Sequence, residues 1–184
     1  YVAADMLSQA EHGTDSQSIL FTNSEAVAHS VNEEVTRQLE ALPRKEMAES
    51  SLAHSRIVVL HDMNEAFDIC NEYAPEHLIL AMDDATAWSE KVVNAGSVFL
   101  GHYSCESAGD YASGTNHTLP TSGYAKAYSG VNLDSFCRKI TFQYLSAEGV
   151  ASIGRAVELM AEAENLDAHR NAMSLRKRDC ENNN

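Results

Sequence analysis

Two adjacent ionisable side chains, Glu76 and His77, follow a proline in the segment APEHL. A carboxylate beside an imidazole can divide general-base and general-acid work between two groups. Pro75 restricts the backbone in front of them, which limits how far the two side chains can scatter. The same residues also suit a polar turn, so their surroundings must decide between an acid–base pair and a surface turn.

Four other residues have side chains suited to a divalent metal ion. Gln9 and His12 are three residues apart in QAEH, which places them on one face if this segment is helical. Asp110 lies in GDYASGTNHTLP, and His169 lies in AENLDAHR. Zinc accepts imidazole together with carboxylate or amide oxygen. Each residue alone also suits a solvated surface, so a metal site requires the fold to bring them together.

Two further polar residues accompany this set. His117 is seven residues after Asp110, and the small residues between them allow a tight chain path that brings both side chains to one place. A flexible connection with incidental polar groups explains the same composition. Glu164 precedes His169 by five residues, so the two point in different directions on a regular helix. A shared role therefore requires a helix break near Asn165.

Several common functional signatures are absent from the sequence. It contains no GxGxxG and no GxxxxGK[ST] nucleotide-binding motif, and no GxSxG nucleophile elbow of a serine hydrolase. The four cysteines are far apart and form no CxxC pair: Cys70, Cys105, Cys137 and Cys180. This usage predicts reduced thiols in a cytoplasmic protein rather than a disulfide framework or a zinc ribbon.

Length and charge restrict the class of protein further. A chain of 184 residues with 44% hydrophobic residues can bury one core, with room for a small appendage. The formal net charge of −14 repels phosphate backbones, so we expect no nucleic-acid partner. No apolar run approaches the roughly 18 residues of a membrane span, so we expect a soluble protein with no membrane contact.

Helical periodicity is already present at Tyr1, and no initiator Met precedes it, which predicts a piece of a longer protein.

Predicted helices and strands alternate through the first hundred residues. The predicted helices cover residues 2–12, 25–42, about 63–73 and 85–96, and the predicted strands cover 18–22, 55–62, 77–84 and 96–101. This order predicts βαβ units and a largely parallel sheet covered on both faces. After Gly101 a stretch rich in Gly, Ser and Thr continues to about Asn132, followed by a short helix or strand and a final helical run. Ligands gather beyond the carboxyl ends of parallel strands, which is where the stretch with Asp110 begins.

Five segments together resemble one enzyme family. DMLSQAEHG, YAPEHL, NAGSVFLG, GDYASGTNHTLPTSGYA and AEAENLDAHRNAMSLR occur in the order in which histidinol dehydrogenases carry similar motifs. The resemblance covers nearly the whole chain and indicates the C-terminal part of such an enzyme. It implies NAD-dependent oxidation of L-histidinol to L-histidine through an aldehyde, in the last steps of histidine biosynthesis.

The resemblance also implies roles for individual residues. By motif match, zinc is bound by four residues that also contact substrate: Gln9, His12, Asp110 and His169. Glu76 and His77 match the catalytic acid–base pair, and His77 also contacts substrate. His117 and Glu164 match further positions that contact substrate.

The implied fold is α/β, an incomplete Rossmann-like parallel sheet with flanking helices over residues 1–131. Residues 132–184 are expected to form a helical C-terminal extension that packs on the partner subunit of a homodimer and completes the neighbouring site. The NAD-contacting domain is expected in an N-terminal part outside this chain, so the chain alone can be inactive. A different class remains open, a zinc-binding α/β domain that kept the site without catalysis.

Overall fold

The computed structural model describes residues 1–182, which form two compact units, Tyr1–Cys137 and a second unit that starts at Arg138. The helices and strands of the first unit are α1 (Val2–Ala10), β1 (Ile19–Thr22), α2 (Glu25–Leu39), α3 (Lys45–Leu52), β2 (Arg56–Val59), α4 (Met63–Tyr73), β3 (His77–Leu80), α5 (Ala85–Trp88), β4 (Ser97–Leu100) and α6 (Glu106–Tyr111). The second unit contains α7 (Ala147–Ala163) and α8 (Asp167–Asn182). The chain is therefore a mixed α/β protein. None of the helices in this described part is both long and apolar enough to cross a bilayer.

The four strands form two parallel pairs. β1 pairs with β2, with Ile19 opposite Arg56, and β3 pairs with β4, with His77 opposite Ser97. The predicted parallel pairing is therefore present, but within residues 1–182 no strand joins the two pairs into one sheet. A cavity of about 1080 Å³ borders every residue of β1 and β3, and no residue of β2 or β4 lines it. This cavity separates the two pairs, on the side of β1 and β3 away from their partners.

The larger hydrophobic core lies between the first three helices. Its buried residues recur at helical spacing: Ala3, Met6, Leu7 and Ala10 on α1, Val31, Val35 and Leu39 on α2, and Ala48 on α3. Ser24 caps α2, since its side chain accepts a hydrogen bond from the Val27 backbone N–H. Burial of this face holds α1 in place, and α1 carries part of the predicted site.

A second core supports β3. Phe67 of α4, Leu80 of β3 and Ala85 of α5 are buried together, and the Phe67 ring stacks on Trp88 with centroids 5.3 Å apart. α4 ends at Tyr73, as Pro75 predicted, and Ala74 follows in the left-handed conformation with φ of 54°. The chain therefore turns sharply between this helix and the strand that starts at His77.

Two predicted helices differ from those in the structure. The helix predicted over residues 25–42 ends at Leu39, and a separate helix, α3, follows Pro43. Proline has no backbone N–H to donate and disfavours helical geometry at the residue before it, so the two segments stay distinct. The helix predicted over 85–96 is limited to α5 and a 3-10 turn, Ser89–Lys91, before the extended Val92.

The stretch after Gly101 was predicted to be irregular, and this is wrong for α6. Glycine disfavours a helix interior, and Gly109 lies inside α6, so local propensity argues against this helix. Packing explains why it forms here. A Cβ on Gly109 would lie 2.6 Å from Cε1 of Phe99 and 2.8 Å from Oγ1 of Thr115, so only glycine allows α6 to approach β4 so closely.

The second unit is a pair of helices joined by a tight turn. Ser146 caps α7 by accepting a hydrogen bond from the Gly149 N–H at 3.1 Å. The predicted break near Asn165 is confirmed, since Asn165 has φ of 59° and separates α7 from α8. Glu158 of α7 accepts hydrogen bonds from Ser174 and Lys177 of α8, which ties the two helices together.

Candidate metal centre and acid–base pair

The end of α1 brings two predicted residues to one place. Gln9 lies in the last turn of the helix, and the His12 N–H donates to the Gln9 carbonyl at 3.3 Å, so the chain keeps turning past Ala10. Gln9 Oε1 is 3.3 Å from Nδ1 of His77. His12 Nε2 is 3.2 Å from Oε1 of Glu106. Both side chains therefore reach the same site from a helix end.

The ladder between β3 and β4 fixes the position of Glu76 and His77. The Gly96 N–H donates to the Pro75 carbonyl and the Ser97 N–H donates to the Glu76 carbonyl, both at 2.9 Å. His77 is the first residue of β3, and its side chain is only 10% exposed. The predicted pair is therefore held by strand hydrogen bonds as well as by the proline in front of it.

α6 supplies two carboxylates, Glu106 and Asp110. They are four residues apart, which places them on one face of the helix. One ligand atom from each of His12, Glu106 and Asp110 lies within 4.8 Å of the others, so these three can hold one metal ion. The structure thus brings His12 and Asp110 together, as the metal interpretation requires.

Glu106 is the site residue that sequence reasoning missed. The sequence predicts an irregular stretch over ESAGDY, and in such a stretch the spacing of residues carries no information. The signal that could have found it is the four-residue spacing from Asp110. Its side chain is only 2% exposed, whereas an unpaired Glu is almost never fully buried in proteins.

Burial dominates the protonation of this group of residues. Burial raises the pKa of Glu76. The nearby His12 lowers this pKa, whereas the charge of Asp110 raises it further. Burial also lowers the pKa of His77, so its imidazole is neutral near pH 7 and able to accept a proton. Burial raises the pKa of Glu106 to about 7, opposed by His12 and reinforced by Asp110. The site therefore concentrates carboxylates where water screens them poorly.

Two buried atoms of the site have no hydrogen-bond partner within residues 1–182, Nε2 of His77 and Oε1 of Glu106. Such orphaned atoms are rare in native proteins and call for an explanation, such as a catalytic role or a water or ion as partner. Nδ1 of His77 faces Oε1 of Gln9 at 3.3 Å and Oε1 of Glu106 at 3.5 Å. Since both neighbours are acceptors, the proton of the neutral ring belongs on Nδ1, and Nε2 keeps its lone pair.

The polar group borders the cavity between the two strand pairs. Gln9, Glu76, His77 and Glu106 all line it. Its volume of about 1080 Å³ lies just above the range of about 300–1,000 Å³ for small-molecule pockets. The site therefore has room beside it for an organic substrate.

Three predicted residues lie outside this group. His117 is exposed and is not among the three clustered ligands. Glu164, directly after α7, and His169, in the first turn of α8, belong to the second unit, and both are exposed. Their assignment to zinc and substrate stays a prediction.

Comparison with known proteins agrees with the family resemblance of the motifs. The sequence model of the histidinol dehydrogenase family matches residues 1–177. The histidinol dehydrogenase of Bacteroides thetaiotaomicron is 60% identical over 96% of this chain, and the chloroplastic histidinol dehydrogenase of Arabidopsis thaliana is 52% identical over 98% of it. A crystal structure of histidinol dehydrogenase from Elizabethkingia anophelis matches 97% of the chain with a TM-score of 0.90 and 55% identity.

The match covers only part of each relative. The chain spans 41% of the Bacteroides protein, 39% of the Arabidopsis protein and 41% of the Elizabethkingia chain. These shares are consistent with the C-terminal portion that the motifs indicate. At this level of identity over nearly all of its length, the chain belongs to the histidinol dehydrogenase family.

Proposed function

We propose that this chain provides the metal and acid–base part of an enzyme that oxidises L-histidinol to L-histidine through histidinaldehyde, in histidine biosynthesis. One observation carries the proposal: in a chain of this family, His12 and Asp110 lie together beside His77, whose buried Nε2 has no partner. The incomplete Rossmann-like fold is part of the proposal. It is supported by the parallel strand pairs and by the likeness to the Elizabethkingia structure.

The residues at the end of α1 and on α6 fit a zinc ion. Imidazole, carboxylate and amide oxygen are a donor set that zinc accepts, and the orphaned carboxylate oxygen of Glu106 beside them calls for a cation. Gln9, His12 and Asp110 would hold zinc, together with His169. Zinc would supply Lewis acidity and a fixed point that orients the nitrogen atoms of the substrate.

His77 is the proposed base for the first oxidation. Its ring is neutral near pH 7, its Nδ1 faces two acceptors, and its Nε2 is available to take the proton of the substrate hydroxyl. Glu76 is adjacent in the chain, and its pKa is raised by burial, which makes the carboxylate a better base. We assign to it the activation of the water that attacks the aldehyde.

The remaining parts of the proposal concern partners of this site. NAD would accept the electrons of both oxidations, and the residues that contact it are expected outside this chain. His117 and Glu164 are proposed to contact substrate, with Glu164 and His169 acting within one chain or across a homodimer. Cys70, Cys105 and Cys137 are free thiols, which supports a reducing compartment such as the cytoplasm.

A chimera tests the proposal. This chain replaces the matching portion of the Bacteroides thetaiotaomicron relative, and NADH formation from L-histidinol is followed by absorbance. We expect two NADH per histidinol oxidised and a loss of about 10²–10⁴-fold in kcat for His77→Ala. His29→Ala is the matched control, since His29 is an exposed imidazole of α2 and does not line the cavity. A chimera that binds zinc but forms no NADH would instead favour the zinc-binding domain without catalysis, and full activity of His77→Ala would refute the assignment of the base.

A further inference from the structure

A pair of asparagines joins the end of α4 to the segment that leads into β4. Oδ1 of Asn71, in the last turn of α4, accepts hydrogen bonds from the backbone N–H groups of Val93 and Asn94 at 2.7 and 3.2 Å. Nδ2 of Asn71 donates to the Lys91 carbonyl at 2.9 Å. Nδ2 of Asn94 donates back to the Asn71 carbonyl at 2.9 Å. We call these four hydrogen bonds the asparagine clamp.

The amide of Asn71 suits this contact because the facing segment offers both kinds of hydrogen-bonding group. Two backbone N–H groups of the segment need an acceptor, and the Lys91 carbonyl needs a donor. One amide supplies an acceptor oxygen and donor N–H groups together. An aspartate at this position would keep the acceptor for both N–H groups and would lose only the donor to Lys91. An alanine would lose all three hydrogen bonds of the side chain.

The turn between α4 and β3 needs support from outside. Ala74 is buried and adopts the left-handed conformation with φ of 54°, which is disfavoured for a residue that has a Cβ. Pro75 has no N–H to donate to a neighbour. The N–H groups of Gly96 and Ser97 instead hold the carbonyls of Pro75 and Glu76, both at 2.9 Å. The position of Glu76 therefore depends on where the chain around Gly96 lies.

The clamp determines where this part of the ladder starts. Only glycine fits opposite the Glu76 carbonyl, since a Cβ on Gly96 would lie 2.6 Å from its oxygen. A slip by one residue would bring the Cβ of Ala95 or Ser97 against that carbonyl, and it would turn the side chains of β4 to the opposite face. With Asn94 held by the clamp, only Ala95 separates it from Gly96. The segment therefore enters the ladder in one register.

We infer that Asn71 is a positioning residue for the acid–base pair. By holding the segment before β4, it fixes the start of the β3–β4 ladder and with it the backbone of Glu76 and His77. The inference rests on the proposed function for the roles of these two residues. Asn71 does not line the cavity, so it acts through the backbone rather than on the substrate. A displacement of about 1 Å in a catalytic group can lower the rate by about a hundredfold.

Two measurements on the same variants test this role. Amide hydrogen exchange of Gly96 and Ser97, measured by NMR in this chain, reports whether the ladder is held. The kcat and KM for L-histidinol are measured in the chimera with the Bacteroides relative. The variants are Asn71→Ala and Asn71→Asp, and Asn32→Ala is the matched control because Asn32 is an exposed asparagine of α2. Circular dichroism establishes that each variant is folded at the assay temperature.

For Asn71→Ala we expect the exchange of both amides to become about tenfold faster or more, since the hydrogen bonds that hold the segment are lost. We expect kcat to fall about 10–100-fold while KM changes less than about threefold. Asn71→Asp should recover most of both effects, and Asn32→Ala should behave as the wild type. A merely structural role would lower stability without this loss of kcat in the folded enzyme.

Unchanged exchange in Asn71→Ala would overturn the inference, and so would faster exchange with an unchanged kcat. A loss of kcat that Asn71→Asp does not recover would also overturn it. If the wild-type chimera forms no NADH, the proposed function fails instead. The hold of Asn71 on the ladder is then upheld by faster exchange in Asn71→Ala and overturned by unchanged exchange.

Discussion

Gly96 is the position at which one methyl group should disturb the acid–base pair most directly. It lies just before β4, and its N–H donates to the Pro75 carbonyl at 2.9 Å. A Cβ built at this residue would be 2.6 Å from the carbonyl oxygen of Glu76 and 3.2 Å from Cβ of Leu119. The closer of these two atoms, the Glu76 carbonyl oxygen, belongs to the backbone and cannot rotate away as the end of a long side chain can.

The size of the effect follows from these distances. An unstrained contact between carbon and a carbonyl oxygen is about 3.3–3.6 Å, so Gly96→Ala must open the start of the β3–β4 ladder by about 0.7 Å. Overpacking of this kind costs about 1–3 kcal/mol. The two ladder hydrogen bonds at Pro75 and Glu76 are each worth about 1 kcal/mol, and part of that is lost too. We expect Gly96→Ala to destabilise the first unit by about 2–3 kcal/mol.

Urea unfolding measures this directly, because the chain has a single tryptophan, Trp88, which lies in the first unit. With a slope of about 2 kcal/mol/M, the loss lowers the midpoint by about 1 M. Gly149→Ala is the matched control: its Cβ would make only ordinary contacts of 3.5–3.6 Å in α7 of the second unit. A midpoint for Gly96→Ala equal to that of the wild type would refute the view that this close approach positions Glu76 and His77.

Three other predictions concern packing, capping and thiol reactivity. Phe67→Ala removes the ring that stacks on Trp88, so we expect a loss of about 3–5 kcal/mol in urea unfolding and a smaller loss for Phe67→Leu; equal losses would contradict this. Ser146→Ala removes the cap of α7 and should cost about 1 kcal/mol, seen as lower helicity by circular dichroism, whereas an unchanged spectrum would show that the cap is dispensable. Burial raises the pKa of Cys70 to about 11, so at pH 8 about one thiol in a thousand is ionised. Iodoacetamide should therefore label the exposed Cys137 first. The rate of labelling at Cys70, measured by mass spectrometry, should rise about tenfold per pH unit between pH 8 and pH 10. A rate independent of pH would contradict the raised pKa.

The alternation of strands and helices was predictable from the sequence because continuous β-branched runs and amphipathic periodicity are strong local signals. All four predicted strands exist. The strands in the structure are shorter than the hydrophobic runs suggested, as at Ile19–Thr22 and Arg56–Val59. The break at Asn165 was expected only on the condition that Glu164 and His169 share a role, and that role stays a prediction. Parallel pairing followed from the crossover helices.

α6 was not predictable, and Glu106 was missed with it. A six-residue helix with glycine in its interior has no useful propensity, and what stabilises it is the close approach of Gly109 to Phe99, which no local pattern reveals. The gap between the two strand pairs was equally hidden, since hydrophobicity shows that a strand is buried but not which strand lies beside it.

The cavity beside β1 and β3 has a consequence for how this chain behaves in solution. Within residues 1–182 each of these strands hydrogen-bonds to a single neighbour, so each leaves a row of backbone N–H and C=O groups without a strand partner. Such a row is a template onto which another extended segment can add by backbone hydrogen bonds alone, whatever its side chains. The segment that pairs with this strand edge therefore determines whether two copies of the chain associate through their strands. His77, at the start of β3, is the site residue that such pairing would affect first.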